Sequence, residues 1–246
     1  MNLVLFYPHE VQSDGSIQLT GARAQAVLDQ HDIRAVGVTL KAGVRDGRLG
    51  RAQVTALADA SSEAFSVSFA LTLSSEPPAR SPIEVVVGYP RPQTVKKIIQ
   101  VAVSFGIKAL HIVPFDKSIK SYQSSKVWMP ENLEAELLES LQQVCDTTAP
   151  DILRYRSLSD FIKSCNDRAF DFWKHAVVFD ARGARTLSQE VHTRCIVFGP
   201  EAGFSEQELA LFTQHNVPLF ALGDRMLRLE HAVCAGLQCL LQEIVS

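Results

Sequence analysis

Two stretches of this sequence gather residue types that can handle an anion, a proton and a closely held small molecule. The first reads Val197-Phe198-Gly199-Pro200-Glu201-Ala202-Gly203-Phe204-Ser205-Glu206. Its apolar start predicts a strand ending at Phe198. Gly199 and Gly203 then allow the backbone to approach a ligand where a side chain would block it. Glu201 supplies a carboxylate able to take a proton. Ser205, with Glu208 three residues on, forms a capping box that predicts a helix start. The second stretch reads Leu222-Gly223-Asp224-Arg225-Met226-Leu227-Arg228-Leu229-Glu230-His231-Ala232. Two guanidinium groups and an acid beside a predicted strand end can bind an anion or stabilise one as it forms. Spacing alone equally allows a tight strand-to-helix turn in the first stretch and a solvated Arg–Glu pair, worth little, in the second. Neither is a G-x-G-x-x-G or P-loop fingerprint, and no such glycine pattern follows Val87, which argues against a nicotinamide-dependent oxidoreductase.

Both stretches need strands to end beside one another and helices to begin after them. The chain supplies that rhythm from Pro82 onward. Ile83–Gly88 is a nearly continuous β-branched run, as a strand buried on both faces requires. A helix Thr94–Phe105 follows, with Val95, Ile98, Ile99 and Ala102 on one face and Gly106 as its stop. Further strands are expected at 109–113, 176–180, 195–198 and 219–222, with helices at 131–144 and about 229–244. That is a mostly parallel α/β sheet covered by helices, which binds ligands beyond the carboxyl ends of its strands. On the last helix Val233, Leu237, Leu240 and Leu241 are either core or part of a subunit interface.

The Ser/Pro-rich run from Ser74 to Pro82 marks a seam. Before it lie short β-like pieces at 3–7, 36–40, 50–56 and 65–73, with a tight-turn signal at Asp46-Gly47. They suggest a small barrel. The expected domains are therefore 1–75 and 82–246.

The 246 residues are 46% hydrophobic and 21% charged, with a net charge of −3. A disordered chain and a generally basic nucleic-acid coat are excluded. A local patch is not: residues 85–126 hold seven basic residues and one acid, and residues 131–160 hold seven acids and two bases. The basic block is either a phosphate-facing patch or a solvated face. No apolar run reaches a membrane span and the N-terminus does not read as a secretory signal, so a cytoplasmic protein is expected. Five irregularly spaced cysteines without C-x-x-C read as buried thiols, and the histidines show no metal-ligand spacing.

The pair Gly199-Pro200-Glu201-x-Gly203-Phe204-Ser205-x-x-Glu208 and Leu222-Gly223-x-Arg225-x-Leu227-Arg228-x-Glu230-x-Ala232 resembles the signature of the bacterial 16S ribosomal RNA uridine-N3 methyltransferases, of the SPOUT class. Tyr89-Pro90-Arg91-Pro92, Gly106-Ile107 and Lys120-Ser121-Tyr122 are similar to one branch of that family. In the N-terminal part, Arg23 with Val27-Leu28 and Asp46-Gly47-x-Leu49-Gly50 are similar to its small barrel. The sequence departs from the family at Ala202, where a glycine is usual, at His231, where a threonine is usual, and at Gln25-Ala26, where the family has His-Ile.

The resemblance implies a PUA-like or OB-like N-terminal β-barrel that grips RNA, followed by a SPOUT-type α/β trefoil-knot domain acting as a homodimer. It implies S-adenosyl-L-methionine as methyl donor, held by Phe179, Gly199, Pro200, Glu201, Gly203, Leu222, Gly223, Met226, Leu227 and Arg228. The substrate implied is 16S rRNA of the small ribosomal subunit, with Arg23, Arg91, Lys96, Lys120 and Arg225 as contacts, and with neither a metal nor a membrane. Uridine N3 must lose a proton. Arg228 is the candidate cation beside the resulting anion, and Glu201, Glu230 or His231 the proton acceptor. The alternatives are a non-catalytic RNA-binding or assembly factor on the same fold, and a knotted methyltransferase acting on transfer RNA or another RNA.

Overall fold

A computed structural model describes residues 2–58, 65–184 and 193–245. The chain divides into two compact units, Met1–Ala79 with Leu137–Ala149, and Arg80–Glu136 with Pro150–Ser246.

The first unit is built on five strands, β1 (Val4–Phe6), β2 (Ser16–Thr20), β3 (Thr39–Val44), β4 (Leu49–Leu57) and β5 (Ser66–Ser75), with helix α1 (Gly21–His31) between β2 and β3. Their order in the sheet is β1-β3-β4-β5-β2. β1 joins β3 in parallel and the other pairs are antiparallel. Alternation along β5 buries Val67 and Phe69 against Phe6, whose ring meets Phe69 edge-on at 5.3 Å. The Asp46-Gly47 turn joins β3 to β4, with Asp46 at φ 57° and the Gly47 N–H on the Val44 carbonyl at 2.8 Å.

One expectation is overturned here, and one helix is not foreseen. The strand expected at 36–40 begins at Thr39, and Val36 and Val38 stay exposed. The stretch around Arg23 is a helix, where only Ala24 and Val27 are buried. Too few apolar positions mark its face for periodicity to reveal it. The segment 137–149 belongs to this unit through bonds that no local pattern announces: Leu3 N to Gln142 O (2.9 Å), Asp46 N to Thr147 O (2.9 Å) and Thr147 Oγ1 to Gly47 O (2.5 Å).

The second unit carries β6 (Glu84–Gly88), α2 (Pro92–Ser104), β7 (Ala109–Val113), α3 (Lys120–Gln123), α4 (Pro130–Val144, whose last residues belong to the first unit), β8 (Asp151–Arg154), α5 (Leu158–Asp167), α6 (Phe172–His175), β9 (Ala176–Ala184), β10 (Cys195–Phe198), α7 (Glu206–Gln214), β11 (Leu219–Phe220) and α8 (Leu229–Val245). Its sheet runs β11-β9-β10-β6-β7-β8, and every described pairing is parallel. β6, β7 and β10 are wholly buried, which explains why apolar residues dominate them, with Glu84 in β6 and His111 in β7 as the exceptions. Pro92 starts α2 at a position where a missing N–H costs nothing. Val233, Leu237 and Leu240 are buried within the single chain, so they are core. Among the cysteines, Cys165 and Cys195 are buried but Cys234 is exposed.

The capping box forms as its spacing predicts. Ser205 Oγ accepts the Glu208 N–H at 3.1 Å, and Glu208 Oε2 accepts the Ser205 N–H at 2.8 Å. The hydroxyl also donates to Asp116 Oδ2 at 2.6 Å, while Glu208 Oε1 takes the Asp116 N–H at 2.7 Å. Ser205→Ala is therefore expected to cost about 1–2 kcal/mol, the upper part of the range for a lost cap, because the link to Asp116 goes with it. A urea-midpoint shift equivalent to a few tenths of a kcal/mol would show the cap to be dispensable.

Candidate active site

The carboxyl ends of β9, β10 and β11 surround a 440 Å3 cavity, within the size range of small-molecule sites. Its floor is aromatic: Phe179 and Phe198 stack at 5.0 Å with ring planes 10° apart, and Phe220 meets Phe179 edge-on. One wall is the loop after β10. There Pro200 O accepts the Gly203 N–H at 2.7 Å, and Gly203 sits at φ 72°. Ala202 is not among the residues with positive φ, so its methyl group is accommodated without backbone strain. The opposite wall is the loop after β11, where Gly223 takes φ 133°.

Every residue expected at the cofactor lines this cavity except Arg228. Arg225, expected at the substrate, lines it too. Arg228 lies outside, with Nε 3.5 Å from Glu230. Glu230 also lies outside the lining. It is buried, and Lys97 holds it at 3.1 Å. Burial pulls its carboxyl upward, but its own backbone N–H and Lys97 outweigh that and keep it below the ordinary value. Paired with Lys97 and Arg228 at the first turn of α8 and turned away from the cavity lining, it is poorly placed to accept a proton there. His231 is exposed and outside the lining, whereas its neighbour Ala232 faces the cavity. Glu201 faces the cavity, and its Oε1 takes the Arg91 N–H at 2.9 Å. That bond ties the β10 loop to the start of α2.

Three of the expected RNA contacts are engaged elsewhere or lie elsewhere. Arg23 donates to Glu10 from Nε (2.9 Å) and to Leu5 O (2.8 Å). Lys96 is paired with Glu136. The pairing of Lys96, with those of Lys97 to Glu230 and Lys108 to Glu84, absorbs part of the charge that the basic block shows in sequence. Lys120 lies in a second cavity with Tyr89 and Arg154.

The strand expected to end at residue 180 continues to Ala184, and what it carries past Phe179 escaped sequence reasoning. Arg182 grips Asp180 with two bonds (2.7 and 2.9 Å) and also reaches Glu206 (2.8 Å) and Phe204 O (3.3 Å). Burial would raise the Asp180 carboxyl, but the bonds from Arg182 hold it below its ordinary value. An acid two residues before a base at a strand end was the available signal. Gly88 was also missed as a support behind the site. It lies at the end of β6 against Pro200, and a Cβ there would stand 2.3 Å from Pro200 N.

Among the described residues, no group of three or more His, Cys, Asp or Glu is placed to hold a metal ion, and no helix is long and apolar enough to cross a membrane.

Comparison with known proteins gives the cavity a context. The chain is 27% identical over 250 residues to ribosomal RNA small subunit methyltransferase E of Treponema pallidum (strain Nichols), covering 96% of this chain and 89% of that protein. The solved structure of the same-named protein from Neisseria gonorrhoeae, bound to S-adenosyl methionine, superposes with a TM-score of 0.70 at 18% identity, covering 98% of this chain and 97% of that one. A Legionella pneumophila protein solved in complex with the bound cofactor SAM superposes with a TM-score of 0.73 at 17% identity, covering 98% of each chain. At such identities the two structures speak for the fold. The model of the RNA methyltransferase domain matches residues 77–241, which include the whole strand-end cavity, and on that match the chain belongs to the RNA methyltransferase domain family.

Proposed function

We propose that this chain transfers the methyl group of S-adenosylmethionine to N3 of a uridine in 16S rRNA of the small ribosomal subunit. The observation that carries the reading is the strand-end cavity, into which both signature loops converge within the matched family domain. Kinship with proteins named for small-subunit rRNA methylation supports the substrate class. In this reading the first unit is a PUA-like barrel, the second has the SPOUT-type knot, and the protein works in the cytoplasm as a homodimer. Met226, 88% exposed at the cavity rim, is an apolar side chain that a second copy would cover.

The residues present suit the donor. The Phe179–Phe198 stack offers an apolar surface for a flat ring, the tight loop at Gly199–Gly203 brings backbone close, and Glu201 offsets a positive charge. When bound, S-adenosylmethionine supplies a methyl group already activated by its sulfonium charge. The protein's tasks are then alignment and control of the acceptor's proton. N3 lies inside a Watson–Crick pair, so the uridine must be unpaired or flipped out to enter.

Arg225 takes the role of the cation beside the uracil anion. It lines the cavity and has no ion-pair partner among the described residues, whereas Arg228 is shared with Glu230. Glu201 takes the N3 proton, directly or through water. One of its oxygens is used on Arg91 N–H and the other is left for the acceptor. The test is transfer of label from S-adenosylmethionine to small ribosomal subunits from cells lacking this protein, with the nucleoside identified by mass spectrometry. N3-methyluridine is expected. Arg225→Ala should lower kcat about 100-fold or more, as loss of one preorganised electrostatic contact does. Cofactor binding without transfer to these subunits would redirect the reading to another RNA. Absence of cofactor binding would favour a non-catalytic RNA-binding role.

A further inference from the structure

A second cavity, of 540 Å3, opens at the carboxyl ends of β6 and β8 and is lined by Tyr89, Lys120, Arg154, Tyr155 and Arg156 among others. We propose that it receives a backbone phosphate of the RNA substrate, next to the nucleotide presented for methylation; this rests on the function proposed above.

Three cations surround this cavity, and no acidic side chain lines it. Such a gathering of like charges is unfavourable until an anion enters it. Arg156 does have a carboxylate within reach, Asp160 at 3.3 Å, but Asp160 lies outside the lining and Arg156 is itself almost fully exposed. Lys120 is exposed and has no ion-pair partner among the described residues.

Arg154 is held in place rather than merely nearby. Its guanidinium lies 5.0 Å from the Trp128 ring centre and 5.5 Å from that of Tyr89. Its Nε donates to Tyr89 Oη (3.1 Å) and its Nη2 to Gln123 O (2.6 Å). Those bonds fix the planar group and leave its Nη1 hydrogens available, the preorganised fork that suits phosphate. The Tyr155 wall is equally fixed. Its hydroxyl meets His111 Nδ1 at 3.0 Å, and the other ring nitrogen meets buried Glu84 at 2.9 Å.

Position decides between a phosphate seat and a purely structural clamp. The segment 88–91 separates the two cavities. Gly88 lies against Pro200 and Arg91 N–H bonds Glu201, both of which line the methyl-transfer cavity, while Tyr89 faces the cationic one. A chain whose uridine enters the first cavity therefore runs past the second.

Arg154 packs against two rings, so its replacement risks local unfolding. The test uses Lys120→Gln/Arg156→Gln instead, with Lys163→Gln on α5 as a charge control. For unmethylated small ribosomal subunits, the double variant should raise KM about ten-fold, with kcat little changed. The control and the affinity for S-adenosylmethionine should match wild type. Binding of a fluorescein-labelled single-stranded oligouridylate, followed by anisotropy, should lose about 0.7 from its log–log salt slope for each phosphate contact removed. Unchanged KM in the double variant, or an equal rise in the control, would overturn the proposal. If wild type methylates no subunits, the functional reading fails and the anisotropy alone decides. A shallower slope in the double variant then still supports the phosphate seat, and equal slopes, or no binding by wild type, refute it.

Discussion

Replacing Arg168 by methionine is expected to cost about 3–5 kcal/mol of unfolding free energy at pH 7 and to change how stability responds to acid. Glu84 is almost fully buried where β6 begins, between β10 and β7. Arg168 clamps it with two bonds of 2.6 Å each, while Lys108 and His111 each add one at 2.9 Å. Burial alone would raise the Glu84 carboxyl. The bonds from His111, Arg168 and Lys108 more than offset it and hold the group far below the ordinary value. His111 is pushed down by its own burial, against the pull of Glu84. A neutral ring then donates from Nε2 to the carboxylate and accepts the Tyr155 hydroxyl at Nδ1.

Both folded-state pKa values lie below their unfolded values. Each group therefore contributes stability above its unfolded pKa and loses it as pH falls. The loss begins below about 6.5 for His111 and below about 4.3 for Glu84. Arg168→Met leaves the buried carboxylate without its two-bonded partner, so its folded-state pKa rises. The variant should be much weaker at pH 7, and its further loss between pH 5 and 4 should be smaller than that of wild type. Urea unfolding across this range checks both statements. A variant with unchanged stability, or with an acid slope as steep as wild type, would show that the clamp is not what holds Glu84 ionised.

This cluster also marks where the sequence stops being legible. The run at 83–88 announces a buried strand because apolar residues dominate it, and the same holds for β7 and β10. Glu84 was a visible exception inside that run. Its partners Lys108, His111 and Arg168 sit 24, 27 and 84 residues away, and only the folded sheet brings them together. β8 escaped notice because Asp151 and Arg154 flank just two apolar residues. α5 escaped because only Phe161 and Cys165 are buried along its ten residues. The two signature loops were legible because glycine, proline and a capping box are local signals. Which side chains of the second loop face the cavity was not. Arg225 and Arg228 are three apart, and the start of α8 directs the latter to Glu230.

Gly88→Ala is expected to lower S-adenosylmethionine affinity at least ten-fold, about 1.4 kcal/mol, although residue 88 does not line the cavity. A Cβ at this position would stand 2.3 Å from Pro200 N, 2.6 Å from Pro200 Cδ and 2.8 Å from Pro200 Cα. None of these atoms belongs to a side chain that can rotate away. The methyl group can be admitted only if β6 and the Gly199–Gly203 loop move apart, and overpacking of this kind costs about 1–3 kcal/mol. That movement also pulls Glu201 from the Arg91 N–H, so the two losses should appear together. A second substitution separates a clash from general fragility. Pro200→Ala removes Cδ but keeps the backbone nitrogen, the nearest atom, so it should not rescue Gly88→Ala. Gly203→Ala meets nothing within 4 Å and suffers only from its φ of +72°, a strain of about 1–2 kcal/mol. Calorimetric titration of the three variants orders these effects. If Gly88→Ala binds the donor as tightly as wild type, the β10 loop has another way to yield, and the close approach of Pro200 to β6 does not set the shape of the site.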